Sequence, residues 1–399
     1  MYISKQQIAL VLGILLLASL SVYLYNKAPV AKEVTVINTD STTSTPMLTV
    51  DESTSSEKST EALSHIVVET NLHPSAIIGK MAPEFVRPGA FSNTGPFLLR
   101  DLRGKKIVLV EFWATSKIES THTIPYLNDW YAKYHNFGLT IVAIHTPRFV
   151  FERSKVAVDQ FAYAHNMSYP IVVDNGAETW TAYKNTIWPH LYLIDLDGRI
   201  VYEHQGDSAY QATEVKLLTL LNGRAVKLKL PVPPDQKLSQ LNSENLDVSQ
   251  IKSTEAFFGA SRNQNLANGV SRKEGVQTFN TLTEPKLNMI YLFGSWNIKG
   301  EYAESMTEHS SLLYKYHAKR VYAVLGAQKI LRVRVLLDGK ALDTSLAGSD
   351  IRFEKGDSVF YVDHERLYDI VNAADGYADH TIELVPDSGG INAYTLTFK

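Results

Sequence analysis

Hydrophobic and polar positions divide the chain into regimes with different periods. From Ile8 to Tyr25 runs an uncharged stretch of 18 residues, bracketed by Lys5 and Lys27. As a helix it spans about 27 Å, close to the thickness of a bilayer core, which predicts a transmembrane segment. The run is longer than the apolar region of a cleavable leader, and no A-x-A step follows it, so an uncleaved signal-anchor is expected. Residues 1–7 are then a short cytoplasmic N-terminus. Lysines flank the span on both sides, so charge alone does not orient it. The extracytoplasmic placement rests instead on every globular segment following a single span. Residues 26–73 form the next regime. Between 35 and 64 they carry 15 Ser or Thr and no aromatic residue. Too little apolar surface is available there to offset chain entropy, and a disordered stalk is expected.

Over residues 74–224 strand-like and helix-like blocks alternate. Lys106–Phe112 (KIVLVEF), 139–144, 169–173, 191–195 and 199–204 read as strands, the last two as a hairpin around Asp197 and Gly198. Helical spacing covers 118–135, 152–165, 177–184 and 210–222, with Gly223 as the stop. The alternation predicts a mixed α/β sandwich. Pro231, Pro233 and Pro234 open a polar linker over 225–252. Beyond it the period becomes two. ILRVRVLL (330–337) places Arg332 and Arg334 opposite Leu331, Val333 and Val335, and similar runs recur at 289–293, 312–317, 320–325, 358–362, 380–385 and 393–398. Residues 253–399 are expected to form an all-β jelly-roll sandwich.

Composition narrows the chemistry. With 39 basic against 42 acidic side chains there is no cationic excess to neutralise phosphates, which argues against a nucleic-acid partner. The chain has no cysteine, which excludes disulfides, thiolate metal sites and thiol catalysis. The twelve histidines form no H-E-x-x-H or H-x-H spacing, and Asp363, His364 and Glu365 are consecutive residues that do not converge on one point, so no metal and no cofactor are expected. Asn166-Met167-Ser168 fits a glycosylation sequon of the kind that arises by chance.

The ordered motifs KIVLVEFWAT, TIPYLNDWYAKY, GLTIVAIHTPRF and WPHLYLIDLDGRIVYEHQGD resemble the thioredoxin superfamily. The likeness is to its membrane-anchored extracytoplasmic branch, of the TlpA, ResA and DipZ type. STEAFFG, GSWNIKGEYAE, AKRVYAVLG and RLYDIVNAADGYADHTIELV resemble the C-terminal extension of DipZ-type proteins, a carbohydrate-binding-module-like β-sandwich. The resemblance implies that Trp113 precedes the active-site loop, that Glu111 is the buried acid, and that Pro189 after Trp188 is the cis-proline. It also implies that Lys117 and Ser120, in Lys117-Ile118-Glu119-Ser120, stand where the family keeps its C-x-x-C pair.

Without those thiols the resemblance implies a redox-inactive module, and the chain is not expected to act as an enzyme. Ser116 followed by Glu119 predicts a capping box at the helix start. Lys117 is expected to be a solvated charge; the alternative is a nucleophilic amine with its pKa lowered by the positive helix end. Family members hold extended peptide in a groove that here would be formed by Trp113, Trp188 and Pro189. That implies an extracytoplasmic protein or peptide partner and a binding or scaffold role in the cell envelope. Two alternatives remain: a thiol-disulfide oxidoreductase by family label, or a cell-envelope glycan binder. The glycan reading would use aromatic side chains such as Trp296, Tyr302, Tyr361, Tyr368 and Tyr394, although strand packing accounts for aromatics equally well.

Overall fold

Ile107 to Trp113 is buried along its whole length, as a strand must be when both faces of its sheet are covered. It is the central strand of the first region in a computed structural model that describes residues 77–234, 237–241, 247–280, 284–373 and 376–399. The expected N-terminus, anchor and stalk (1–7, 8–25 and 26–73) lie outside the described residues. Among the described residues no helix is long and apolar enough to cross a membrane.

The first sheet contains β1 (Ala90–Ser92), β2 (Ile107–Trp113), β3 (Leu139–His145), β4 (Ile171–Val173), β5 (His190–Ile194) and β6 (Ile200–Gln205). Their spatial order is β1-β4-β3-β2-β5-β6. Strands β2, β3 and β4 run parallel, while β5 and β6 are antiparallel. The helices are α1 (Ile118–Tyr134), α2 (Lys155–Ala164), α3 (Glu178–Ala182) and α4 (Tyr210–Leu228). Strand alternation sends Ile107, Leu109 and Trp113 into a core with Leu127, Trp130, Val158 and Leu217 of α1, α2 and α4. Val108, Val110 and Phe112 enter the opposite core with Phe85, Leu99 and Tyr183. The predicted mixed α/β arrangement is therefore present, and β1 is an addition that sequence periodicity did not signal.

Two helix boundaries differ by three residues or more from the sequence reading. Helix α4 runs through Gly223, because Ala225 is buried beyond it and Arg224 donates to the carbonyls of Lys105 and Phe137. Tertiary anchorage outweighs the cost of about 1 kcal/mol for an internal glycine. The helix stops at Lys229, whose left-handed φ of 57° closes the end. Helix α2 starts at Lys155 rather than 152, because the Ser154 hydroxyl caps it by accepting from the Ala157 N–H and Glu152 is engaged in the preceding turn.

The second region is all-β. It begins with β7 (Ala256–Phe257), β8 (Gly275–Phe279), β9 (Ile290–Ile298), β10 (Ala303–Ser305), β11 (Ser311–Ala318), β12 (Arg320–Ala327) and β13 (Leu331–Leu337). It continues with β14 (Lys340–Ala341), β15 (Arg352–Glu354), β16 (Asp357–Val362), β17 (Arg366–Asn372), β18 (Ala378–Pro386) and β19 (Ile391–Phe398). Ten of these follow the order β15-β16-β13-β18-β11-β9-β10-β19-β12-β17; β14, β7 and β8 pair with β13, β19 and β9 respectively. Every predicted strand of this region forms. The predicted faces of ILRVRVLL also hold: Val333 and Val335 are buried, while Arg332 reaches Glu354, Asp357 and Asp387.

Strand β9 changes partners along its length. Residues 290–293 pair with β11, and residues from Gly294 onward pair with β8 and β10. Gly294 sits at this change with φ +73°, and a Cβ there would lie 3.0 Å from Ser310 Cα. Gly294→Ala is therefore expected to cost about 1–3 kcal/mol, read as a lower thermal midpoint. An unchanged midpoint would show that the strand adapts.

Candidate functional site

Strand β2 ends at Trp113 and α1 begins at Ile118, so Ala114 to Lys117 form a turn that carries Lys117, while Ser120 lies in the first turn of α1. This turn is fixed by Glu152. Its carboxylate accepts from the Thr115 hydroxyl at 2.8 Å, the Ser116 N–H at 2.8 Å, the Arg148 N–H at 2.6 Å and the Phe149 N–H at 3.0 Å. The predicted capping box is absent. Lys117, not Ser116, is the N-cap, it makes no side-chain cap bond, and the Ser116 N–H is already taken by Glu152. Ser120 is buried, and its hydroxyl accepts from the Ala114 N–H at 3.3 Å.

Lys117 is not the solvated charge its sequence context suggested. Its side chain is 17% exposed, with Nζ 3.2 Å from Glu119 Oε2 and 3.8 Å from Glu255 Oε2. Glu255 comes from the all-β region, just before β7, and receives Arg148 Nη2 at 2.7 Å. The other oxygen of Glu119 lies 2.9 Å from Lys399 Nζ. Lys399 Nζ is 3.8 Å from Asp207 Oδ1, and Asp207 Oδ2 is 2.7 Å from His122 Nδ1. Arg148, Glu255, Lys117, Glu119, Lys399, Asp207 and His122 thus form a row in which cationic or basic groups alternate with carboxylates. Burial pushes the Glu255 carboxyl up, but Arg148 and Lys117 beside it outweigh that and hold it below the usual range. Asp207 follows the same pattern: burial raises it, and the bond to His122 and the charge of Lys399 bring it below.

Beneath the turn, Glu111 occupies the middle of β2 and is fully buried. Desolvation pushes its pKa up to about 8, against a smaller lowering by the Thr123 hydroxyl that donates to it. At neutral pH the group is mostly a neutral acid. Near it His145, fully buried and edge-on to Trp113 at 4.9 Å, has its pKa pushed down to about 4 by desolvation.

The other candidate residues separate into different settings. Trp113 is buried, between His145 and Phe161. The Trp188-Pro189 bond is cis. Trp188 is half-buried against Trp180, and its indole N–H donates to the Thr146 carbonyl. Trp296 is fully buried with its N–H on the Phe293 carbonyl, and Tyr368 is fully buried as well. Tyr302 is half-buried against Tyr394, which meets Phe149 and Phe151 of the first region at 5.1 Å each. Tyr361 is half-buried and donates to Glu354. Sequence reasoning singled out Lys117, Ser120 and Glu111 but missed Arg148, Glu152, Glu255 and Lys399. Arg148 and Glu152 share one loop, but Glu255 and Lys399 lie more than 100 residues beyond it, and no spacing rule connects the three segments.

Comparison with known proteins agrees with this layout. Residues 78–203 match the AhpC/TSA family and residues 253–398 match the thioredoxin-like C-terminal domain family. The chain is 32% identical over 303 residues to Protein DipZ of Mycobacterium bovis, covering 76% of this chain and 40% of that protein. It therefore spans well under half the length of that relative. It is 30% identical over 137 residues to thiol-disulfide oxidoreductase ResA of Bacillus thuringiensis, covering 34% of this chain and 75% of ResA. A DsbE-like thiol:disulfide interchange protein from Chlorobium tepidum is 26% identical with a TM-score of 0.32, over 36% of this chain and 97% of that one. The chain belongs to the thioredoxin-like redoxin family of the ResA and DipZ thiol-disulfide oxidoreductases, and it does so without a cysteine.

Proposed function

We propose that this protein is a redox-silent member of that family, held at the outer face of a membrane by residues 8–25, and that it works as a binding or scaffold module in the cell envelope. The observation that carries this reading is the occupancy of the two redox positions. Lys117 is an ion-paired N-cap residue and Ser120 a buried hydroxyl acceptor, and neither atom set can accept or deliver the electrons of a disulfide. Glu111, neutral and buried, has no thiol to serve. Peptide held at the half-buried Trp188 is the binding mode this reading favours, since Trp113 and Pro189 are both buried. The jelly-roll region would then add a second surface rather than chemistry.

The test is an insulin-reduction assay on the full chain with dithiothreitol as the electron source. Turnover equal to the protein-free blank is expected. Any rate above the blank that scales with protein concentration would reject redox silence, because the chain itself brings no thiol.

A further inference from the structure

The former exchange site has an occupant within the same chain. Glu255 and Lys399, which bracket the all-β region, place one carboxylate and one ammonium on Lys117, Glu119 and Asp207. Arg148, with a side chain only 4% exposed, bridges the two regions: Nη1 donates to the Ser116 carbonyl at 3.0 Å and Nη2 to Glu255. Glu255 is anchored in turn by the Thr395 and Thr397 hydroxyls at 3.3 and 3.0 Å, so it is held against β19 and not on a free arm. An apolar contact lies beside the charges. Phe149 and Phe151 pack with Val324, Tyr394, Phe257 and Tyr302, and the Val150 N–H donates to Glu301 at 2.9 Å.

We infer that the all-β region seals the degenerate redox turn, with the alternating charges as the closure that replaced the thiol pair. The inference rests on the redox-silent reading for its meaning but not for its test. Three features support closure rather than chance proximity. Opposite charges alternate along the row, and Arg262, the like charge beside Arg148, is itself offset by Glu255 and Glu301. They come from both regions. Every member between Arg148 and Asp207 has a partner on each side, so none of the buried charges is left uncompensated. A consequence is that a protein substrate cannot reach the start of α1, which leaves Trp188 and not the turn as the contact for a peptide partner.

The absence of native cysteine makes the test clean, because a single introduced thiol reports only its own position. Ser116→Cys is close in size, lies in the sealed turn and leaves every charge of the row in place. Tyr163→Cys, at a position 87% exposed, gives the open reference rate. In the full chain, modification by a polyethylene-glycol maleimide is expected to be at least about 100-fold slower at 116 than at 163. Adding Glu255→Lys, which faces Arg148 and Lys117 with a like charge, is expected to speed labelling at 116 by about tenfold or more and leave 163 unchanged. Lys399→Met is a milder second variant for use if the reversal unfolds the protein by circular dichroism. Equal rates at 116 and 163, or a rate at 116 that neither charge variant alters in folded protein, would overturn the seal. Neither outcome bears on the insulin result, so the two readings fail separately.

Discussion

Arg148→Ala is expected to lower the stability of the chain by about 3–5 kcal/mol, read as a lower urea midpoint. The arginine neutralises the largely buried Glu255 and donates to the Ser116 carbonyl, so its removal leaves a carboxylate and a peptide oxygen without their partner. Lys117, 3.8 Å away, compensates only part of the lost charge. The cause can be separated from lost packing by the double variant Arg148→Met with Glu255→Met. It removes both charges, and it should recover a large part of the loss because no uncompensated ion remains. A single variant within 1 kcal/mol of the parent, or a double variant no better than the single, would mean that the pair does not hold the regions together.

The pH profile supplies the second large effect. Glu111 is raised from 4.5 to about 8, so the folded state holds a proton that the unfolded state gives up first. Its contribution is fully present below pH 4.5 and is lost as pH rises to about 8, where the whole difference amounts to about 5 kcal/mol. The buried imidazoles act in the opposite sense. His145 and His190 are lowered by desolvation from 6.5 to about 4 and about 3, so their contribution is present above pH 6.5 and is lost as the solution is acidified. Denaturant midpoints followed from pH 5 to 9 should show the alkaline decline in the parent, and Glu111→Gln should remove most of it because the amide does not titrate. An identical slope in parent and variant would show that Glu111 does not carry the effect. The acidic decline should survive the substitution.

Much of the architecture was legible because burial imposes a period. KIVLVEF could only be a strand covered on both faces, ILRVRVLL only a strand with one polar face, and both form as read. Short strands such as β8 and β15 were invisible, because three to five half-exposed residues carry too little periodic signal. Gly223 was read as a stop from local propensity, and the helix passed through it because Arg224 and Ala225 are held from outside the helix. The capping box failed for a similar reason. Ser116 and Glu119 have the right spacing, but Glu152 reached the Ser116 N–H first and Lys399 engaged Glu119.

The sequence by itself determined that this chain has no cysteine, and its resemblance to the family pointed to Lys117 and Ser120 as the places where a C-x-x-C pair would stand. Those facts depend on residue identity and order alone. The tertiary structure decided what stands there instead. Whether Lys117 is a solvated ammonium or one member of a charge row depends on Glu255, 138 positions further along the chain, and on Lys399 acting through Glu119. Coulomb attraction acts over a few ångströms of space regardless of chain separation. Spacing along the sequence therefore could not announce contacts that exist only once the all-β region packs against the helix start.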